Sequence, residues 1–281
     1  MLRKLSLLIH IMITFLPFFL WSKTTSSSQI ELHPNHRSTK SAIEQVQKVF
    51  GKYSIESPGL FSGNHQGFEH IQIIKDDQVE SAFVFYIHRD LDGDRDKQWP
   101  PHKARQRNEI KGYVGSPDIL KAQENQSFRY RWYFRIDDGF QITKNFCHFF
   151  QLKPAGSDNI NNPLLTLSGV VDGGKPQLQV QLWEENRTER QFLANWKDCL
   201  GKWLLCECKI KYANEGNISF SISSLDQSIS ITRSIKIMKT WQKDFSFVRP
   251  KWGIYRSLVI DRKKMNQEDK VFISRLMIDR I

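Results

Sequence analysis

Apolar and polar residues alternate along most of the chain with the two-residue period of a β-strand. The segments SAFVFYIHR, FRYRWYFRI, NFCHFFQLK, PLLTLSG, QLQVQLW, KWLLCECKIKY, NISFSIS, KWGIYRSLVI and VFISRLMID are short and rich in β-branched and aromatic residues, and turn sequences such as DGG and NEGN fall between them. No Pro-rich or Ser-rich linker interrupts the series. The pattern therefore predicts an all-β antiparallel chain folded as a two-sheet β-jelly roll. One stretch departs from it: in KSAIEQVQKVF the apolar Ile43, Val46 and Phe50 recur at helical spacing, which predicts one short N-terminal helix with a single face against the sheets.

Strand parity then assigns faces. In QLQVQLW, Leu178, Val180 and Leu182 point inward, and Gln177, Gln179, Gln181 and Trp183 point outward as a solvated row. Amides and an indole are also what a glycan cleft would use. In RPKWGIYRS, Lys251, Gly253 and Tyr255 share one face, so the glycine is expected to open space between an ammonium and a phenol. ARQRNEIKGY places Arg107, Glu109 and Lys111 together, which reads first as a structural guanidinium–carboxylate pair and otherwise as two cations flanking an anion that bind a carboxylated ligand. In CHFFQLKP, Phe149, Gln151 and Lys153 lie opposite His148, Phe150 and Leu152. His148 and Gln151 can thus reach one cleft only across a bulge. His88 and His148 both read first as hydrogen-bonded core residues.

A 281-residue chain with 40% hydrophobic residues builds a core without stapling. Its formal net charge of +11 suits an anionic partner, and nucleic acid, a membrane surface and an acidic polysaccharide share that sign. The opening MLRKLSLLIHIMITFLPFFLWSK reads as a secretory leader over residues 1–22, cleaved or kept as an anchor; a flexible polar lead-in over 23–38 and one folded domain over 39–281 follow. Export is the expected fate, and the sequons at Asn125, Asn186 and Asn217 are compatible with it.

In an oxidising compartment the clustered Cys199, Cys206 and Cys208 favour a local disulfide from Cys199 to one of the other two, with Cys147 apart. Zinc is disfavoured there, because one residue separates Cys206 from Cys208 and no histidine pair follows. RDLDGDRDK sets Asp90, Asp92, Asp94 and Asp96 at alternate positions, but Arg95 and Pro101 break the EF-hand template. With basic residues interleaved, it reads as a self-neutralised surface loop. Neither metal nor cofactor is expected. The chain has no G-x-S-x-G elbow, no phosphate-binding loop and no H-E-x-x-H motif, so hydrolysis finds no apparatus.

Taken in order, RQRNEIK, HFFQLK, RPKWGIYRS and FVFYIHRDLDGDRD resemble the β-jelly-roll polysaccharide lyases, concanavalin A-like sandwiches, over roughly Phe68 to Ile281. The likeness is to the group of glucuronan lyase and heparin-lyase-like proteins, with alginate lyases more distant. Arg107 with Glu109 matches the family's R-x-E pattern, Gln151 with Lys153 its Q-x-K variant, and Lys251 with Tyr255 its K-x-G-x-Y pattern. Phe150 stands where a His-x-His-Gln run is expected.

The resemblance implies β-elimination on a uronic-acid polymer without a cofactor. Arg107 and Gln151 would neutralise the substrate carboxylate, and Lys251, Lys153, Glu109 and Lys111 would bind the chain. Tyr255 would serve as base and acid, its pKa lowered by Lys251 and Arg107, with His148 or His88 as the alternative base. The expected partner is an acidic polysaccharide met by a monomer, not nucleic acid and not a membrane. The rival expectation is a non-catalytic, lectin-like jelly roll that binds acidic glycans.

Overall fold

The computed structural model describes residues 28–61, 65–95, 104–156, 162–184 and 187–281. The leader, Asp96 and the Asn186 sequon lie outside the described residues. In chain order the first elements are β1 (Gln29–Leu32), α1 (Ala42–Phe50), β2 (Ile55–Glu56), β3 (Ile71–Asp76), β4 (Glu80–His88), β5 (Arg105–Lys111), β6 (Ser127–Ile136) and β7 (Cys147–Gly156). After them come β8 (Leu165–Asp172), β9 (Lys175–Glu184), β10 (Arg187–Asn195), the single-turn α2 (Trp196–Cys199), β11 (Trp203–Lys211), β12 (Gly216–Ser224), β13 (Ser230–Met238), β14 (Phe245–Ser257) and β15 (Glu268–Arg280).

The strands form two antiparallel sheets, one ordered β13-β12-β11-β6-β15-β4-β3 with β1 on β15, the other ordered β10-β9-β8-β7-β14-β5-β2. This is the predicted jelly roll. Alternation explains the sandwich: Tyr130, Trp132 and Phe134 of β6 meet Phe150 of β7 and Trp252 of β14 in one buried cluster. Each such side chain contributes about 1.5–3 kcal/mol of transfer free energy. Ser41 and Glu44 close a capping box at the start of α1, whose Ala42, Val46 and Phe50 are buried while Ile43 packs at the margin. Part of the lead-in expected to be flexible is a strand, since Gln29–Leu32 pairs with β15 in regular register.

The expected disulfide is absent: Cys147, Cys199, Cys206 and Cys208 are all free and buried. Cys206 and Cys208 both face inward on β11, because residues two apart share a face, and they pack as small apolar groups. Burial raises all four thiols, Cys199 to about 12.

Two of the irregularities in the second sheet bear on its outer face. The register of β7 against β8 slips between His148 and Phe150, and that of β14 against β7 slips between Trp252 and Tyr255. Phe149 and Phe150 therefore both turn inward, which lets His148 and Gln151 come to the same outer face. Gly253 sits in the second slip with φ +136°, where an added Cβ would overlap the carbonyl oxygen of Asn108. Its role is close backbone approach, not the widening of a cleft. Gly253→Ala is expected to lower stability by at least ~1–3 kcal/mol in urea unfolding, from strain at a left-handed backbone position. An unchanged midpoint would place the constraint elsewhere.

Candidate active site

The outer face of the second sheet carries a cleft of about 780 Å³. Arg107, His148, Gln151, Lys153, Lys251 and Tyr255 line it, so parity and the β7 bulge bring six of the eight expected residues together. Glu109 and Lys111 are not in the lining. Glu109 is fully buried beneath it and accepts hydrogen bonds from Arg107 Nη1 and Lys251 Nζ at 2.6 Å each, and from Gln151 Nε2. Lys111 is turned to Glu56 on β2, with Nζ 2.6 Å from Oε1.

Glu56 stands opposite Glu109 in register and takes Lys251 Nζ at 2.7 Å and Arg95 Nη1 at 3.0 Å. Burial alone would raise its pKa, but Lys251, Arg107, Lys111 and Arg95 hold it well below the usual carboxylate range. Arg107 also grips Asp94, Nε to Oδ1 at 2.8 Å and Nη2 to Oδ2 at 3.1 Å. Burial opposes its charge, yet Glu109, Glu56 and Asp94 raise its pKa well above the ordinary value. The floor is thus a layer of compensated charge. The donors expected on a substrate carboxylate are partly engaged there, although a guanidinium has five N–H groups and an amide two, leaving some for a ligand.

Tyr255 stands on the wall. The Arg107 guanidinium lies 3.7 Å from its ring centroid, and its hydroxyl accepts a hydrogen bond from Arg105 Nη1 at 2.5 Å. Burial raises the phenol's pKa despite Arg107 and Arg105, the reverse of the expected lowering. Desolvation is the largest influence and outweighs the cations, and the negative charge of Asp94 adds to it. The phenol therefore rests protonated at neutral pH and suits a general acid.

His148 is its cross-strand neighbour, with ring centroids 6.1 Å apart. Its Nδ1 lies 2.8 Å from Ser168 Oγ, which is 2.7 Å from Thr166 Oγ1. Burial, reinforced by Arg107, Arg105 and Lys251, lowers its pKa to about 3, so the imidazole is neutral. Lys153 is lowered to about 7 by burial and by Lys251, Arg249 and Arg107.

Strand β9 supplies the opposite wall. Gln179, Gln181 and Trp183, expected as a solvated row, line the cleft instead, while Leu178, Val180 and Leu182 fill the core as expected. Gln179 is 1% exposed, and its Nε2 has no hydrogen-bond partner among the described residues. A buried amide donor in that state gains from a ligand acceptor. Phe150 removes nothing from the cleft, since its ring packs inward 4.4 Å from Trp132.

Among the described residues, Asp90, Asp92 and Asp94 of RDLDGDRDK do not converge on one point. Asp90 pairs with Arg89 and Arg262, Asp94 with Arg107, and Asp92 is buried among histidines. Sequence reasoning missed Arg105, which parity on β5 would have placed beside Arg107. It also missed Glu56, whose two-residue strand carries no period to read.

No protein-family model and no curated protein matches the sequence. Solved structures do match. The marine PL-14 alginate lyase from Aplysia kurodai aligns with TM-score 0.53 and 11% identity over 90% of this chain and 98% of that one. The alginate lyase from Klebsiella pneumoniae aligns with TM-score 0.51 and 9% identity over 76% and 85%. That from Pseudomonas aeruginosa aligns with TM-score 0.51 and 14% identity over 76% and 87%. The fold is that of the β-jelly-roll polysaccharide lyases.

Proposed function

We propose that the chain is an exported polysaccharide lyase that cleaves a uronic-acid polymer by β-elimination. The observation that carries this reading is the adjacent pair of a neutral His148 and a protonated Tyr255 on a cationic cleft. The two groups are already in the protonation states of a base and an acid.

The proton at C5 is weakly acidic because the neighbouring carboxylate repels further negative charge. Cations and amide donors on the cleft face, Arg107, Lys251, Lys153 and Gln151, oppose that charge as it grows. His148 takes the C5 proton, the electron pair forms the C4–C5 double bond, and the C4–O bond breaks. Tyr255 passes its proton to the leaving oxygen. An imidazolium among cations is unfavourable in the empty cleft, but a bound uronate supplies the compensating charge. Ser168 orients the ring, and Trp183 offers a stacking face to a sugar.

Incubation with glucuronan, alginate, heparin-like and pectic polymers, followed by ultraviolet absorbance of unsaturated ends, tests the reading. Product from one polymer class is expected, and no product from any class, with binding intact, would favour a lectin-like role. The engagement of Arg107, Lys251 and Gln151 by Glu109 is the observation on the side of that rival.

Binding itself has a signature. Affinity for the polyuronate is expected to fall steeply with added salt, with no competition from neutral glucans. It is also expected to fall as pH rises through about 7, because Lys153 is charged below that value and neutral above it. Lys153→Arg would then remove the pH dependence, and a wild-type affinity flat from pH 6 to 9 in titration calorimetry would contradict the assignment.

A further inference from the structure

The face of β5 turned away from the cleft carries Gln106 and Asn108. Their amides donate to the carbonyls of His88 at 2.7 Å, Asp92 at 2.9 Å and His70 at 2.7 Å. These bonds draw together the segment before β3, the end of β4 and the loop after it. His65, His70, His88 and Asp92 converge there, one ligand-type atom from each lying within 4.8 Å of all the others. His65 Nδ1 and His70 Nε2 are each 2.9 Å from Asp92 Oδ1, and His88 Nδ1 is 3.2 Å from Oδ2. The side chains of His70 and Asp92 are fully buried.

His70 Nδ1 lies 3.0 Å from the carbonyl oxygen of Phe68, and His88 Nε2 lies 3.1 Å from Glu268 Oε2. Asp92, Glu268 and the Phe68 carbonyl all only accept, so a neutral ring with its single N–H can serve one of its two sides. A divalent cation among the four atoms takes the ring lone pairs on the Asp92 side and leaves each N–H to its outer acceptor. The acceptors behind His70 and His88 are then the outer partners that orient metal-bound imidazoles.

We propose that His65, His70, His88 and Asp92 form a structural site for a zinc-class divalent transition metal. Three imidazoles and a carboxylate suit such an ion and not calcium or magnesium, which take oxygen ligands. Four protein ligands leave no open position, so the site is closed and its role structural. Phe68 stacks on His65 at 5.5 Å and meets His70 and His88 edge-on at 4.9 and 4.7 Å, giving the site an apolar wall. The ion would pin Asp92, two residues before the Asp94 carboxylate that grips Arg107 in the cleft.

Cobalt(II) titration of the metal-stripped full chain tests the site. One equivalent should bind with the visible absorption of tetrahedral cobalt, zinc should displace it, and zinc but not calcium or magnesium should raise the melting temperature. His65→Ala, on a partly exposed ligand, should lose the band while retaining the parent's circular dichroism. Glu268→Gln, behind His88, should weaken binding about 10–100-fold. Absence of a one-equivalent band, or equal binding by His65→Ala, would overturn the proposal. No polysaccharide enters this readout, so its failure and that of the proposed elimination are separable.

Discussion

Tyr255→Phe is expected to fold like the parent and to lose double-bond formation by about 10²–10⁴-fold, the range of a general acid–base group. The ring keeps its place under the Arg107 guanidinium, so packing survives the change. What is lost is the hydroxyl that accepts from Arg105 and that, in the proposed elimination, holds the proton for the leaving oxygen. Because burial raises this pKa, turnover of the parent at saturating polymer should hold through neutral pH and fall on the alkaline side, where the phenol ionises. His148→Ala should be comparably severe, because the β7 bulge delivers that ring to the same wall. Initial rates on the polymer that the parent cleaves decide the matter: a phenylalanine variant retaining more than a tenth of the rate would remove Tyr255 from the chemistry.

Glu109→Ala is expected to cost about 3–5 kcal/mol of folding stability, the range for breaking a buried ion pair by removing one partner. Arg107, Lys251 and Gln151 all converge on this carboxylate, which has no exposed surface. Its removal leaves two buried cations to Glu56 and Asp94 alone. Glu56 adds a pH dependence of definite sign. Its folded pKa lies below the unfolded value, so its contribution is full above ~4.3 and disappears as pH falls toward the folded value. Urea unfolding at neutral pH and at pH 4 measures both effects. A Glu109→Ala midpoint equal to the parent's would show that the floor network stabilises nothing.

The sheets were legible because alternation in β9 and β14 is uninterrupted where it matters: Leu178, Val180 and Leu182 turn inward, as do Trp252 and Ile254. Parity also placed Arg107 and Glu109 on one side of β5, with Asn108 and Ile110 on the other. It failed where the chain breaks period. The extra residue at Phe149 puts His148 and Gln151 on one face, and a local pattern cannot report a bulge that the neighbouring strand imposes.

Sign of charge was readable, but its allocation was not. As the resemblance has it, Arg107 belongs on a substrate; it lies on Glu109, its neighbour on the same face of β5, and on Asp94, a partner that only tertiary packing supplies. The phenol of Tyr255 was expected to be acidified, which neglected desolvation, the largest influence on it. His65, His70, His88 and Asp92 fit no spacing template, since their meeting point is set by the pairing of β3 with β4. The cysteine cluster suggested a bridge, yet Cys206 and Cys208 were inward positions of one strand from the start.

Elimination and hydrolysis leave different atoms behind, and that difference tests the central claim. Digestion of the cleaved polyuronate in water labelled with heavy oxygen, followed by mass spectrometry of the oligosaccharides, reads it directly. The account predicts unsaturated new non-reducing ends, lighter by one water than a hydrolysis product, with label entering only by exchange at the reducing-end hemiacetal. Saturated non-reducing ends with a full added water, or a polymer that is bound and never shortened, would contradict it.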